Sequence, residues 1–148
     1  MYDQTRTDRF PTAMTYDHML ERVRYEGAYP TRQRAEEAVR AVLDALGRQL
    51  TYDERVDLAH RLPAEAALAL TGAVPATERV TGWGFVKDLA ARTGVSPAVA
   101  RWDTGAVLAP IAALAGPELL ARILQQLPDG YALLFGRAQL GHHLSAAA

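Results

Sequence analysis

Residues 31–50 read TRQRAEEAVRAVLDALGRQL, and this stretch carries the strongest helix signal of the chain. Its apolar residues recur at spacings of three and four, which places them on one stripe of a helix with 3.6 residues per turn. They are Ala35, Ala38, Val39, Val42, Leu43 and Leu46. Pro30 disfavours a helix that continues from upstream. The helix can therefore begin at this point, with the Thr31 hydroxyl as its amino-terminal cap. The stretch therefore predicts an amphipathic helix with one buried face.

The same pattern occurs again at an offset of 65 residues. Leu62-Pro63 corresponds to Leu127-Pro128 (127 − 62 = 65), and the cap Thr31 corresponds to Ser96. The apolar positions agree as well: Val42 with Val107, Leu43 with Leu108, Leu46 with Ile111, and Leu58 with Ile123. Repeats of this kind indicate units that bury their apolar faces against each other. We therefore predict an all-α fold in which two tandem, pseudo-equivalent four-helix units pack as one bundle-like domain.

Turn-forming residues set the boundaries of the predicted parts. These parts are a flexible N-terminal tail (1–14), helical repeat 1 (15–72), a linker (73–81), helical repeat 2 (82–136) and a C-terminal tail (137–148). Thr51 and Glu54 have the spacing of a capping box, in which each side chain satisfies a backbone N–H of the other residue. Pro110 should kink or break its helix, and Gly116-Pro117 should open the next one.

Composition limits the classes of function. The chain carries 16 basic and 17 acidic residues without a basic block, which argues against a nucleic-acid partner. It has no cysteine, so disulfides and thiolate-bound metals are excluded. No apolar run reaches the roughly 20 residues of a membrane span, and the first residues lack the apolar region of a secretory signal. We expect a cytoplasmic protein with no nucleic-acid or membrane partner.

Four stretches carry a resemblance to a known family. They are Tyr16–Val23, Ala38–Leu46, Leu58–Pro63 and Gln126–Phe135. Together they resemble the bacterial family called domain of unknown function 2267, and the resemblance covers nearly all of 16–135. It implies an all-helical fold without a settled activity. No catalytic residue is implied, because the shared motif consists of packing and capping positions.

The residues of chemical interest form no complete catalytic or metal-binding motif. The chain lacks the HExxH pattern of zinc proteases, the GxSxG pattern of esterases and a glycine-rich nucleotide loop after a strand. Asp57 and His60 have the spacing of half a di-metal motif, but the second copy lacks the other half, so we interpret them as a surface pair. His142-His143 lies in the predicted tail and could bind a metal only adventitiously. We predict no catalytic residue, no metal site and no cofactor.

Asp103 is the unusual residue of the second copy. It corresponds to Ala38, on the stripe that should face the core, and a carboxylate directed inward needs a partner. Carboxylates in such an environment occur at functional sites more often than expected by chance. Two interpretations stay open: the helix is rotated so that Asp103 reaches solvent, or Arg101, Asp103 and Thr104 form a polar or ligand-binding site.

The stretch from 104 to 117 contains no charged residue in 14 positions (117 − 104 + 1). A helix that is apolar all round is normally buried, and this one is too short for a bilayer. Either the first repeat encloses it, or one face is exposed as an interface. In the second case Pro110, Ala113 and Leu114 should lie outermost.

Two functions fit these observations. The first is a non-enzymatic helical module that binds an unknown protein partner or forms a homodimer. The alternative is a small-molecule-binding protein or enzyme with a pocket between the repeats, near Arg101 and Asp103. An exposed apolar patch would favour the first function, and a pocket with convergent polar groups would favour the second.

Overall fold

The computed structural model describes residues 14–137, and all regular secondary structure in that range is helical. In chain order the helices are α1 (Tyr16–Gly27), α2 (Arg32–Gln49), α3 (Tyr52–His60), α4 (Ala64–Thr71), α5 (Gly82–Thr93), α6 (Pro97–Gln126) and α7 (Tyr131–Leu134). The predicted all-α class is therefore confirmed. Most of the two predicted tails, 1–13 and 138–148, lies outside the described residues.

Hydroxyl caps begin four of these helices. The side chains of Thr15, Thr31, Thr81 and Ser96 each accept a hydrogen bond from the backbone N–H three residues further on. Such a bond satisfies one of the free N–H groups at a helix start. Thr31 and Ser96 are the caps that the repeat predicts as equivalent, and both begin the second helix of their half.

Corresponding core positions of the two halves are buried alike. Leu43, the centre of the α2 stripe, and its counterpart Leu108 have no exposed surface. The same holds for the other predicted pairs: Val42 and Val107, Leu46 and Ile111, and Leu58 and Ile123. Full burial of such a side chain contributes about 1.5–3 kcal/mol. The burial pattern supports the repeat, while the two-unit arrangement itself stays a prediction.

Helix α6 is the central helix of the fold. It contacts α1, α2, α3, α5 and α7. By length and composition α6 could cross a membrane, but half of its most apolar window is buried inside the fold, as in a core helix. Of the three predicted outer residues, Pro110 is buried, Leu114 is partly buried and Ala113 is exposed. The enclosed alternative therefore describes this stretch better, and Pro110 does not lie on the surface.

The break in α6 lies at Gly116 rather than at Pro110. Pro110 sits inside the helix, whereas Gly116 leaves helical geometry with φ 82° and ψ 163°. Glycine tolerates this conformation because it has no Cβ, and Arg61 Nη1 donates to the carbonyl of Ala115 beside the break at 2.8 Å. Packing around α6 keeps the helical turn at Pro110 intact, although proline by itself disfavours the interior of a helix.

The predicted capping box at the start of α3 is wrong. Thr51 makes no side-chain cap, and its own N–H donates to Oε1 of Gln126 at 2.8 Å. Glu54 instead accepts a hydrogen bond from Nε2 of Gln126 at 2.6 Å. Gln126 thus satisfies the N–H that Glu54 was expected to satisfy, and it ties α3 to the carboxyl end of α6.

Candidate interaction site

Asp103 is buried and has two partners from the first half of the chain. Only 8% of its surface is exposed, so it faces the interior of the fold and not the bulk solvent. The hydroxyl of Tyr29 donates to Oδ1 at 2.5 Å. Nη2 of Arg34 donates to Oδ2 at 3.0 Å and to Oδ1 at 3.2 Å. These bonds join the first turn of α2, and the turn before it, to the first third of α6.

The charges of this cluster are balanced. The Arg34 guanidinium also lies over the Tyr29 ring, 4.9 Å from its centre, which adds a cation–π contact. Burial and the hydrogen bond to Asp103 raise the pKa of Tyr29 above its ordinary value. The hydrogen bond to Asp103 likewise raises the pKa of Arg34. Asp103 is therefore already bound by two donors, which makes it a structural link between the halves rather than a ready ligand for a substrate.

The structure does not bring the three predicted polar residues into one site. The Thr104 hydroxyl is buried and donates to the carbonyl of Ala100 at 2.7 Å. Arg101 is exposed and faces a different cavity from Asp103. Tyr29 and Arg34 are not among the site residues that the sequence predicts. A signal for Arg34 existed, because it lies one helical turn before Ala38, the counterpart of Asp103; Tyr29 carried none.

The histidine and carboxylate candidates gather no metal ligands in the part of the chain that the structure describes. Asp57 accepts a hydrogen bond from Nη2 of Arg122 at 2.8 Å, and His60 is exposed. Within 14–137, no group of three or more metal-binding side chains comes together. His142-His143 lies outside the described residues.

Trp102, next to Asp103, points outward and is held in place. Trp102 is 57% exposed, yet its indole Nε1 donates a hydrogen bond to the carbonyl of Gly27 at 2.8 Å. Ala98 and Val99, one turn earlier on α6, are exposed as well. We call Ala98, Val99 and Trp102 the Trp102 surface. The hydrogen bond orients the indole, so the surface presents an oriented aromatic side chain to solvent.

Open cavities lie on both sides of the indole. One has a volume of about 470 Å³ and is lined by Glu26, Ala98, Arg101, Trp102, Gly105 and Ala106. The other has a volume of about 380 Å³ and is lined by Gly27, Tyr29, Pro30, Arg34, Ala98, Val99, Trp102 and Asp103. Trp83, the other exposed tryptophan, lines neither of them. Trp102 thus forms a ridge between two grooves.

The corresponding surface of the first half is polar. At the offset of 65, the positions of Ala98, Val99 and Trp102 correspond to Gln33, Arg34 and Glu37. Gln33 and Glu37 are exposed and Arg34 is partly buried. The same helical positions therefore accept polar residues in one half and apolar ones in the other. The apolar character of the Trp102 surface is therefore not part of the pattern that the two halves share.

A protein-family model matches most of the chain. The family described as "Uncharacterized conserved protein (DUF2267)" matches residues 16–134. No curated protein matches the chain.

Proposed function

The chain belongs to the DUF2267 family of uncharacterized conserved proteins, and we propose that it is a non-enzymatic helical module that binds a protein through the Trp102 surface. The exposed and oriented indole of Trp102 is the observation that carries this proposal. Tryptophan is enriched among the residues that dominate binding energy at protein interfaces. A side chain fixed before binding also loses little rotamer freedom on association.

A small-molecule or enzymatic role near Arg101 and Asp103 has less support. The cavity beside Arg101 has a volume in the range of ligand sites. Such sites, however, place several polar groups toward one point. Here Asp103 lies on the other side of Trp102 and is already bound by Tyr29 and Arg34. The two grooves are better suited to receive side chains of a protein partner.

Affinity capture with matched variants tests the proposal. The polar variant Ala98→Gln, Val99→Arg and Trp102→Glu carries the residues of the corresponding positions in the first half. The control Trp83→Glu changes the other exposed tryptophan. Tagged proteins are incubated with lysate of the native cell that also contains untagged chain. We expect a protein, which can be the chain itself, to bind to the native form and the Trp83→Glu control but not to the polar variant.

Two outcomes would contradict the proposal. In the first, the polar variant retains every captured protein. In the second, the native form captures nothing beyond a tag-only control. Circular dichroism of the polar variant must show native helix content, so that loss of capture reports the surface and not the fold.

A further inference from the structure

We infer that the partner of the Trp102 surface is a second copy of this chain, docked about a twofold axis. This inference rests on the proposed function and deepens it. A twofold contact uses the same patch on both copies, so the patch must be complementary to itself. The two charged residues beside Trp102, Glu26 and Arg101, make the patch complementary to itself.

Glu26 and Arg101 line the same groove and are both exposed. Neither takes part in an ion pair within residues 14–137. The groove therefore holds one negative and one positive charge, each without a charged partner in the described chain. Across a twofold axis, Glu26 can face Arg101 of the second copy, and the symmetry makes this pair twice.

The position of Glu26 in its own helix gives its carboxylate no electrostatic advantage. Glu26 lies in the last turn of α1, where the partial negative charge of the helix end disfavours a carboxylate. A positive charge supplied from outside the chain removes this disadvantage. Arg101 of a second copy supplies such a charge, whereas within the described residues no basic side chain pairs with Glu26.

The apolar part of the patch also fits a copy of itself. The groove of about 380 Å³ contains Tyr29, Pro30 and Val99, an apolar lining that suits an indole ring. Trp102 stands at the edge of this groove, so each copy offers both the ring and a place to receive it. The formal net charge of the whole chain is −1, so two identical copies repel each other only weakly.

Sedimentation velocity of the purified full chain tests the inference. We expect a monomer–dimer equilibrium within about 1–500 µM, a range in which weak specific contacts are measurable. Trp102→Glu should leave a monomer, and Trp83→Glu should not change the equilibrium. Glu26→Arg or Arg101→Glu alone places like charges opposite each other twice, so each should weaken association at least about tenfold. The double variant Glu26→Arg with Arg101→Glu exchanges the charges and should restore the dimer.

The charge exchange separates a docking role from a loss of folding, because a misfolded single variant would not be rescued by the second change. A native chain that stays monomeric over the whole range would overturn the inference. It would also be overturned if neither single charge reversal weakened dimerisation, or if the double variant did not dimerise. If the monomer still captures a different protein through the Trp102 surface, the proposed function survives and only self-association is wrong.

Discussion

The Asp57 carboxylate accepts a hydrogen bond from Arg122 at 2.8 Å, and the two residues are 65 positions apart in the chain. This separation equals the offset of the sequence repeat, so residues at corresponding positions of the two halves meet each other. Contact between equivalent positions is the feature of a twofold arrangement. In this chain the two halves would be related to each other as two subunits are in a twofold dimer.

A second pair of contacts obeys the same relation. Arg61 donates to the carbonyl of Ala115 at 2.8 Å, and Gln126, which corresponds to Arg61, accepts from the N–H of Thr51 at 2.8 Å. The carbonyl of Ala115 and the N–H of Thr51 belong to peptide groups that also correspond at the offset of 65. Each half thus reaches across to the same peptide group of the other. These contacts support the prediction of two pseudo-equivalent units, which a superposition of 16–71 on 82–136 would test.

Equivalent truncations should have similar effects if the halves share one core. Leu43→Ala and Leu108→Ala remove fully buried side chains. Each should lower the free energy of unfolding by about 2–5 kcal/mol, measured by urea denaturation, with both variants unfolding in a single transition. A loss below about 0.5 kcal/mol at either position would contradict full burial. Two separate transitions would show that the halves unfold independently.

The Asp103 cluster should be a structural link with measurable coupling. Asp103→Asn removes the charge that holds Arg34 and weakens the acceptor of the Tyr29 hydroxyl. We expect a loss of about 1–3 kcal/mol in the free energy of unfolding. With Arg34→Gln as the second change, a double-mutant cycle should give a coupling energy above about 0.5 kcal/mol. If the effects of the two substitutions on the free energy of unfolding are additive, the Asp103–Arg34 ion pair contributes no coupling energy to the fold.

Alkaline pH should weaken the fold partly through Tyr29. Its folded-state pKa is raised by burial and by the bond to Asp103, so its stabilising contribution is complete below the unfolded pKa of about 10 and is lost as pH rises toward the folded value. Above about pH 10, the free energy of unfolding should decrease with rising pH more steeply for the native chain than for Tyr29→Phe. The two slopes should differ by up to about 1.4 kcal/mol per pH unit. Tyr16 and Tyr131, whose pKa values are also raised, are present in both proteins and cancel. Equal slopes in urea denaturation would contradict the role of Tyr29.

The break in α6 should depend on the backbone of Gly116. A Cβ there meets only the end of the Arg61 side chain at 3.6 Å, so space is available, but φ is 82°. Gly116→Ala should therefore cost about 1–3 kcal/mol through backbone strain alone. Gly105→Ala is the matched control, because Gly105 lies in the regular part of α6 and a Cβ there meets only the end of the long Arg101 side chain, at 3.1 Å, which can shift to make room. The control should be neutral or stabilise by up to about 1 kcal/mol. Equal effects of the two changes would contradict the strain.

Local signals in the sequence were sufficient for the helices and the core. The α2 stripe and the caps Thr31 and Ser96 depend on residues within a few positions, and the structure has them as predicted. At Pro110 and Thr51 the structure differs from the prediction for one reason. Their outcomes depend on distant packing: Pro110 is enclosed in the centre of the fold, and the N–H of Thr51 is bound by Gln126, 75 residues away.

The candidate site was only partly predictable for the same physical reason. The repeat placed Asp103 on an inward face, and that placement is observed. Its partners Tyr29 and Arg34 lie 74 and 69 residues earlier, so no local pattern connects them to it. Trp102 was visible in the sequence as the neighbour of Asp103. Its exposure and its bond to Gly27 required the packed helices.

Photo-crosslinking inside the cell measures directly whether the Trp102 surface is occupied. A photo-reactive phenylalanine analogue replaces Val99 in one protein and Trp83 in a control; both positions are exposed, but only Val99 lines a groove beside Trp102, and Trp102 itself is kept. We predict a discrete crosslinked product from position 99, with a second copy of the chain or with another protein, and none of that mass from position 83. Products from position 83 alone, or no product from position 99 in folded protein, would contradict a binding role for this surface.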